Sequence, residues 1–223
     1  MKRFCCLAFA CAFLVAARAP RVSGQSMNGQ AMGGSMSMSA APSAFDYQAK
    51  FLTDMKDLQT KFVGLAQAIP QDKYTWRPGD GVRSISEVFL HVAGGNYGLT
   101  PMLGATPDPG YKRQGYETST TDKAAIIDQL NKSFDYMDNY VQSQSAADLA
   151  KSHQLFGRPA TGYDVLFTIV LDLHEHLGQQ IAYARQNGVV PPWTAERQAS
   201  QAARGRGMNG GAAPAAGATP KPQ

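Results

Sequence analysis

The sequence predicts an all-α fold, a four-helix bundle, flanked by segments that take no part in it. Three observations carry that expectation. Four stretches between residues 43 and 195 place apolar residues at alternating spacings of three and four, the mark of a helix with one buried face. These stretches are bounded by residues suited to cap or stop a helix. No stretch of useful length alternates as a half-buried strand does. Helices of this kind bury their apolar faces on one another, and the span of about 150 residues is large enough for a single core.

The first helix follows Ser43, an N-cap with Asp46 in the acidic first turn. Phe51, Met55, Leu58, Phe62, Leu65 and Ile69 form its seam, and Pro70 stops it. The second begins at Ser84, which has capping-box spacing to Glu87. Ile85, Val88, Phe89, Val92 and Asn96 follow its stripe, and Thr100-Pro101 ends it. Residues 101–120 read as a long loop bearing Gly and Pro. The third helix runs from about Asp122 to Gln142, with Ile127, Leu130, Phe134, Met137 and Val141 in register. The fourth follows Thr161, with Asp164 three residues on, and ends at Asn187-Gly188 with Pro191 and Pro192 beyond.

The flanks differ in composition. Lys2 and Arg3 precede the apolar run Phe4 to Ala17, which is shorter than the roughly 20 residues a spanning helix needs. With Val22-Ser23-Gly24 after it, residues 1–24 read as a secretory signal peptide, so the expected location is exported, periplasmic or secreted. All three cysteines (Cys5, Cys6, Cys11) fall inside that segment. Beyond it there is no thiol for a disulfide, a nucleophile or a Cys-ligated zinc site. Residues 25–42 are rich in Met, Gly and Ser, and residues 196–223 in Gly, Ala and Pro; both are expected to lack order. Met27, Met32, Met36 and Met38 supply thioethers that suit Cu(I), an alternative to a plain linker.

The formal charge of +4 is carried by Lys2, Arg3, Arg18 and Arg21. Arg197, Arg204, Arg206 and Lys221 lie in the tail, which leaves residues 43–195 slightly acidic. No basic footprint for nucleic acid is present there. The expected partner is a small molecule, with no nucleic acid and no stable membrane insertion once the leader is removed. A homodimer stays open, because bundles often pair.

The fourth helix carries "DLHEHLGQQ" at residues 172–180. Asp172 and His176 are four apart and share a face with Val165, Thr168, Gln179 and Tyr183. The stripe Leu166, Ile169, Val170, Leu173, Leu177 and Ile181 lies beside it. His174 falls about 160° from His176 and cannot join it on one small ion. On the second helix, His91 shares a flank with Gly94, Gly95 and Gly98. Glycines on a helix face cost about 0.5–1 kcal/mol each relative to Ala, which implies close approach by a helix or a ligand. If these two helices are neighbours, His91, Asp172 and His176 converge. Two imidazoles and a carboxylate suit one divalent transition ion (Zn, Ni, Fe or Mn) with open positions. From spacing alone such pairs also arise by chance, and an ordinary exposed Asp–His hydrogen bond is the plainer reading.

Three stretches taken together resemble the DinB family of DinB/YfiT-like metalloenzymes. They are "YTWRPGDGVRSISEVFLHVAGGNYG" (74–98), "HLGQ" (176–179) and "IAYARQNGVVPPW" (181–193). The resemblance implies a four-helix bundle with a metal held by three residues, usually histidines. One comes from the second helix and two come from the fourth, four apart, the last just before the "GQ". Carried to this chain, they are His91, Asp172 and His176. Asp172 departs from the family's usual histidine. Asn96, His174, Gln179 and Tyr183 are candidates to orient ligands or to touch substrate. Glu87, one turn before His91, is the nearest candidate base. Trp76-Arg77-Pro78 reads as a structural corner, and Arg83 either braces the second helix or neutralises a carboxylate. The resemblance implies relatives that include thiol-dependent transferases and isomerases. Low-molecular-weight thiols are usually cytosolic and this chain reads as exported, which leaves metal-dependent hydrolysis of a small molecule as the expected reaction. A non-catalytic metal- or ligand-binding module and a thiol-dependent transferase are the alternatives.

Overall fold

A computed structural model describes residues 45–209. The expected leader, the Met-rich segment and the last residues of the tail lie outside the described residues.

Helix α1 spans Tyr47–Ala68 and α2 spans Ile85–Leu99. Helix α3 spans Lys123–Gln142, and α4 is a single turn, Ala146–Leu149. Strands β1 (Ser152–Leu155) and β2 (Arg158–Thr161) form an antiparallel hairpin. Helix α5 spans Gly162–Gln186 and α6 spans Pro192–Asn209.

Local chemistry explains most boundaries. Asp46, not Ser43, caps α1, its side chain accepting from the Ala49 N–H at 2.9 Å. The chain turns extended at Ile69, as the residue before a proline prefers. The capping boxes at Ser84/Glu87 and Thr161/Asp164 open α2 and α5, and Asp122 caps α3. After Leu99 the backbone tightens into a 3-10 turn, Thr100–Leu103, rather than stopping at Thr100.

The helices pack in a ring. Helix α1 touches α3 and α5, and so does α2. Consecutive helices α1 and α2 therefore occupy opposite corners. Phe51, Met55, Leu58, Phe62 and Leu65 of α1 meet Ile85, Val88, Phe89 and Val92 of α2 across the core, with Leu130, Phe134 and Met137 of α3 and Val165, Leu166, Ile169 and Leu173 of α5. The stripe of α3 is rotated slightly from the sequence expectation: Ile126 is fully buried and Ile127 partly so. Asn96 lies inside the bundle, donating to Ser133 Oγ at 3.1 Å.

The short α4, the β1–β2 hairpin and α6 depart from the sequence reading. The hairpin was not expected, because β1 and β2 are only four residues each and half-exposed, too short for an alternation to register. His153 sits in β1, opposite Ala160. Helix α6 runs through 196–209, where no order was expected. Pro192 is preorganised for a first turn, and Ala195, Glu196, Arg197, Gln198, Ala199, Gln201, Ala202 and Ala203 are mostly good helix formers. Only its start is packed: residues 195–206 are exposed, while Trp193 lies against the core. No helix among the described residues is long and apolar enough to cross a membrane.

Candidate metal centre

The ring places α2 beside α5, and that neighbourhood brings His91, Asp172 and His176 together. Each offers a ligand atom, and these atoms all lie within 4.8 Å of one another. The two imidazole centroids are 4.5 Å apart, edge to face. His176 Nε2 lies 3.5 Å from Asp172 Oδ1. Two donors held about 2.0–2.2 Å from one tetrahedral ion stand a little over 3 Å apart, so this pair is already near that separation.

The outer nitrogens are engaged. His91 Nδ1 is 2.6 Å from Glu117 Oε1. His176 Nδ1 is 3.0 Å from Gln179 Oε1, whose amide nitrogen donates to the Tyr183 hydroxyl at 3.0 Å. Tyr183 in turn packs edge-on against Trp76, the ring centroids 5.3 Å apart. An acceptor oxygen at each Nδ1 favours the tautomer that carries its proton there and leaves Nε2 for an ion, the form that binds metal. The donor set thus fits a divalent transition ion.

Glu117 is the feature the sequence did not disclose. It sits in the loop after α2, in a 3-10 turn, Tyr116–Thr118. Arg83 grips it from the other side, Nε to Oε2 at 2.6 Å and an outer nitrogen to Oε1 at 3.1 Å. Arg83 therefore neutralises a carboxylate. Burial pushes the Glu117 carboxyl upward, but the bonds from Arg83 and His91 prevail and hold it below its ordinary value. The Asp172 carboxylate raises the His176 pKa against the opposing effect of burial, with Gln179 adding to the rise.

Other candidates fall elsewhere. Glu87 takes the Ser84 N–H at 2.7 Å and Arg77 at 2.8 Å. Burial would raise its pKa, yet these bonds lower it, which suits a cap and an ion pair better than a base. Asn96 faces α3, and His174 is exposed with Nδ1 2.9 Å from the Val170 carbonyl.

A cleft of about 390 Å³ opens over the group. It is lined by Arg83, His91 and Asp172, and by loop side chains that include Tyr111, Tyr116 and Glu117. Of the three glycines on α2, Gly94 bears the tightest approach: a Cβ there would stand 3.2 Å from Tyr116 and 3.4 Å from the Tyr111 hydroxyl. At Gly95 it would be 3.5 Å from Asp172 Oδ2, an ordinary contact. The close approach expected at this flank is made by loop tyrosines. Tyr111 stacks on Tyr97 at 5.3 Å and meets Tyr116 edge-on at 4.9 Å. These rings pin the loop that carries Glu117. Burial pushes the Tyr97 phenol up to about 12 and raises those of Tyr111 and Tyr116, so all three stay neutral.

Comparison with known proteins agrees with this architecture. The family model described as the DinB superfamily matches residues 55–180. A DinB-like protein from Bacillus cereus superposes with a TM-score of 0.59 at 20% identity, covering 66% of this chain and 98% of that one. YfiT from Bacillus subtilis, a "probable metal-dependent hydrolase with an unusual four-helix bundle topology", superposes with a TM-score of 0.53 at 12% identity, covering 67% and 94%. A mycothiol-dependent maleylpyruvate isomerase reaches a TM-score of 0.50 at 14% identity, covering 58% of this chain and 59% of that one. None of the curated proteins matches the chain.

Proposed function

The chain belongs to the DinB superfamily, and from that premise we propose that it holds one divalent transition ion on His91, Asp172 and His176 and hydrolyses a small molecule in the adjoining cleft. The observation that carries this reading is the convergence of two imidazoles and a carboxylate within 4.8 Å on two helices distant in sequence. An ion bound there would act as a Lewis acid on a substrate oxygen. The chain's own residues do the rest. Glu117 and Gln179 fix the two rings through Nδ1, which leaves each Nε2 for the ion. Arg83 neutralises Glu117, and the tyrosines wall the cleft. The likeness to YfiT supports hydrolysis. The N-terminal apolar segment supports export, which the N-terminal sequence of the protein recovered from its own cells checks.

Metal analysis of protein purified without a histidine tag tests the site. One equivalent of a transition ion is expected, lost in His91→Ala and in His176→Ala. Unchanged metal content in both variants defeats the assignment. A panel of esters, amides and lactones then tests the reaction. Metal binding with no turnover on any of them turns the reading to a non-catalytic binding module.

A further inference from the structure

The cleft holds more than the imidazole–carboxylate group. Leu99, Met102, Tyr111 and Tyr116 give it an apolar wall, and Phe156 and Arg113 complete the lining. Two of these residues, both exposed, are held neither by core packing nor by an ion pair among the described residues. Phe156 sits at the tip of the β1–β2 hairpin with φ 50° and is 69% exposed. Gly157 beside it has φ 77°. Two successive positive φ values make the mirror-image turn that favours Asn-Gly. A phenylalanine is strained there, and its ring gains no burial in the core. Strain of this kind tends to persist where a ligand uses it.

Arg113 is the second. Arg83 lines the same cleft, but Glu117 takes its charge. Arg113 pairs with no carboxylate among the described residues, although it lies on the cleft lining. An unspent guanidinium beside aromatic walls is complementary to a carboxylate on an apolar body. The cleft volume of about 390 Å³ suits a small molecule.

We infer that the ligands of this cleft are small apolar carboxylates, with Arg113 receiving the carboxylate and Phe156, together with Tyr111, Tyr116 and Met102, covering the apolar body. This substrate class rests on the reading of the cleft as the substrate site. It does not rest on hydrolysis.

The test is binding to the full chain stripped of metal with a chelator, so that a carboxylate has no ion to coordinate. Titration calorimetry compares phenylbutyrate with its neutral amide. The acid is expected to bind about 10-fold tighter, the gain of one charge-assisted contact. Arg113→Gln is expected to bring the two within about 2-fold while leaving the amide's affinity unchanged. Phe156→Asn is expected to weaken both ligands about 5-fold or more through lost aromatic contact. The same variant should keep or raise the melting temperature, since Asn tolerates the left-handed region. A structural role for Phe156 predicts the opposite stability change. Equal affinities in the wild type, a preference that survives Arg113→Gln, undiminished binding in Phe156→Asn, or no binding of either compound overturns the inference. Metal content and turnover play no part in these readouts, so failure of the hydrolase reading registers separately.

Discussion

Glu117 shows how much of a site rests on a residue with no pattern around it. It holds His91 through Nδ1 and is held by Arg83. Such outer partners set ring orientation and ligand basicity, and their loss costs about 10–100-fold in metal affinity. Glu117→Ala is therefore expected to weaken metal binding by about that factor. Glu117→Gln, which retains an acceptor oxygen, should lose less. Competition with a chelating dye measures both, and equal affinity in wild type and Glu117→Ala would remove Glu117 from the site. The convergence of His91, Asp172 and His176 was legible in the sequence, because helical spacing fixes which face a residue takes and the family resemblance pairs these two helices. Glu117 was not, because its place depends on the path of a loop. The signal that hinted at it was indirect: the glycine flank of α2 implied an approaching group, and the loop's tyrosines proved to be that group.

At the scale of elements, the four long helices were legible because burial repeats along them and their caps are local. The hairpin and α6 were not, being too short in one case and governed by propensity without burial in the other. Two predictions belong to this scale, one at a junction and one inside a helix. Gly162 opens α5 where a Cβ would stand 2.8 Å from the Leu149 carbonyl oxygen and 2.9 Å from its Cα. Both are backbone atoms and cannot rotate away. Gly162→Ala is expected to destabilise the fold by about 1–3 kcal/mol, the cost of overpacking, as urea denaturation would record. Asp138 on α3 is the reverse case. One of its carboxylate oxygens is buried without a hydrogen-bond partner. Burial pushes its pKa up to about 6, with Lys56 opposing and Asp135 adding to the rise. The folded state thus keeps a proton that the unfolded chain releases near about pH 4. Stability should fall as pH rises from about 4 to about 6, because the folded state binds more protons throughout that window. Asp138→Asn removes the ionisable group. It is expected to stabilise the protein by roughly 1 kcal/mol at pH 7, after discounting for partial solvent screening, and to make no difference at about pH 4. Unfolding curves at the two pH values decide it, and an equal effect at both would assign the change to packing instead of charge.

For the whole molecule, the ring order decides what an ion does to stability. Helices α1 and α2 face each other across the core, and α2 packs on α5, from which α3, α4 and the hairpin separate it along the chain. His91 on one side and Asp172 and His176 on the other are 81 residues apart at the nearest, reckoned from their numbers. The unfolded chain offers no such arrangement. An ion held by these three residues therefore binds the native state and not the unfolded one, apart from the weaker Asp172/His176 pair. Ligand linkage then stabilises the fold by about 2.7 kcal/mol when the free ion stands at 100 times its dissociation constant. For a domain of this size, each kcal/mol moves the melting temperature by about 2–4 °C. Adding the ion to chelator-treated protein is expected to raise the melting temperature by roughly 5–10 °C by that arithmetic. In His91→Ala the rise should vanish even though the helix pair of Asp172 and His176 is intact, because the bridge between α2 and α5 is gone. A rise of equal size in that variant would show the ion binding elsewhere, and the three-residue site would then have no part in holding the two helices together.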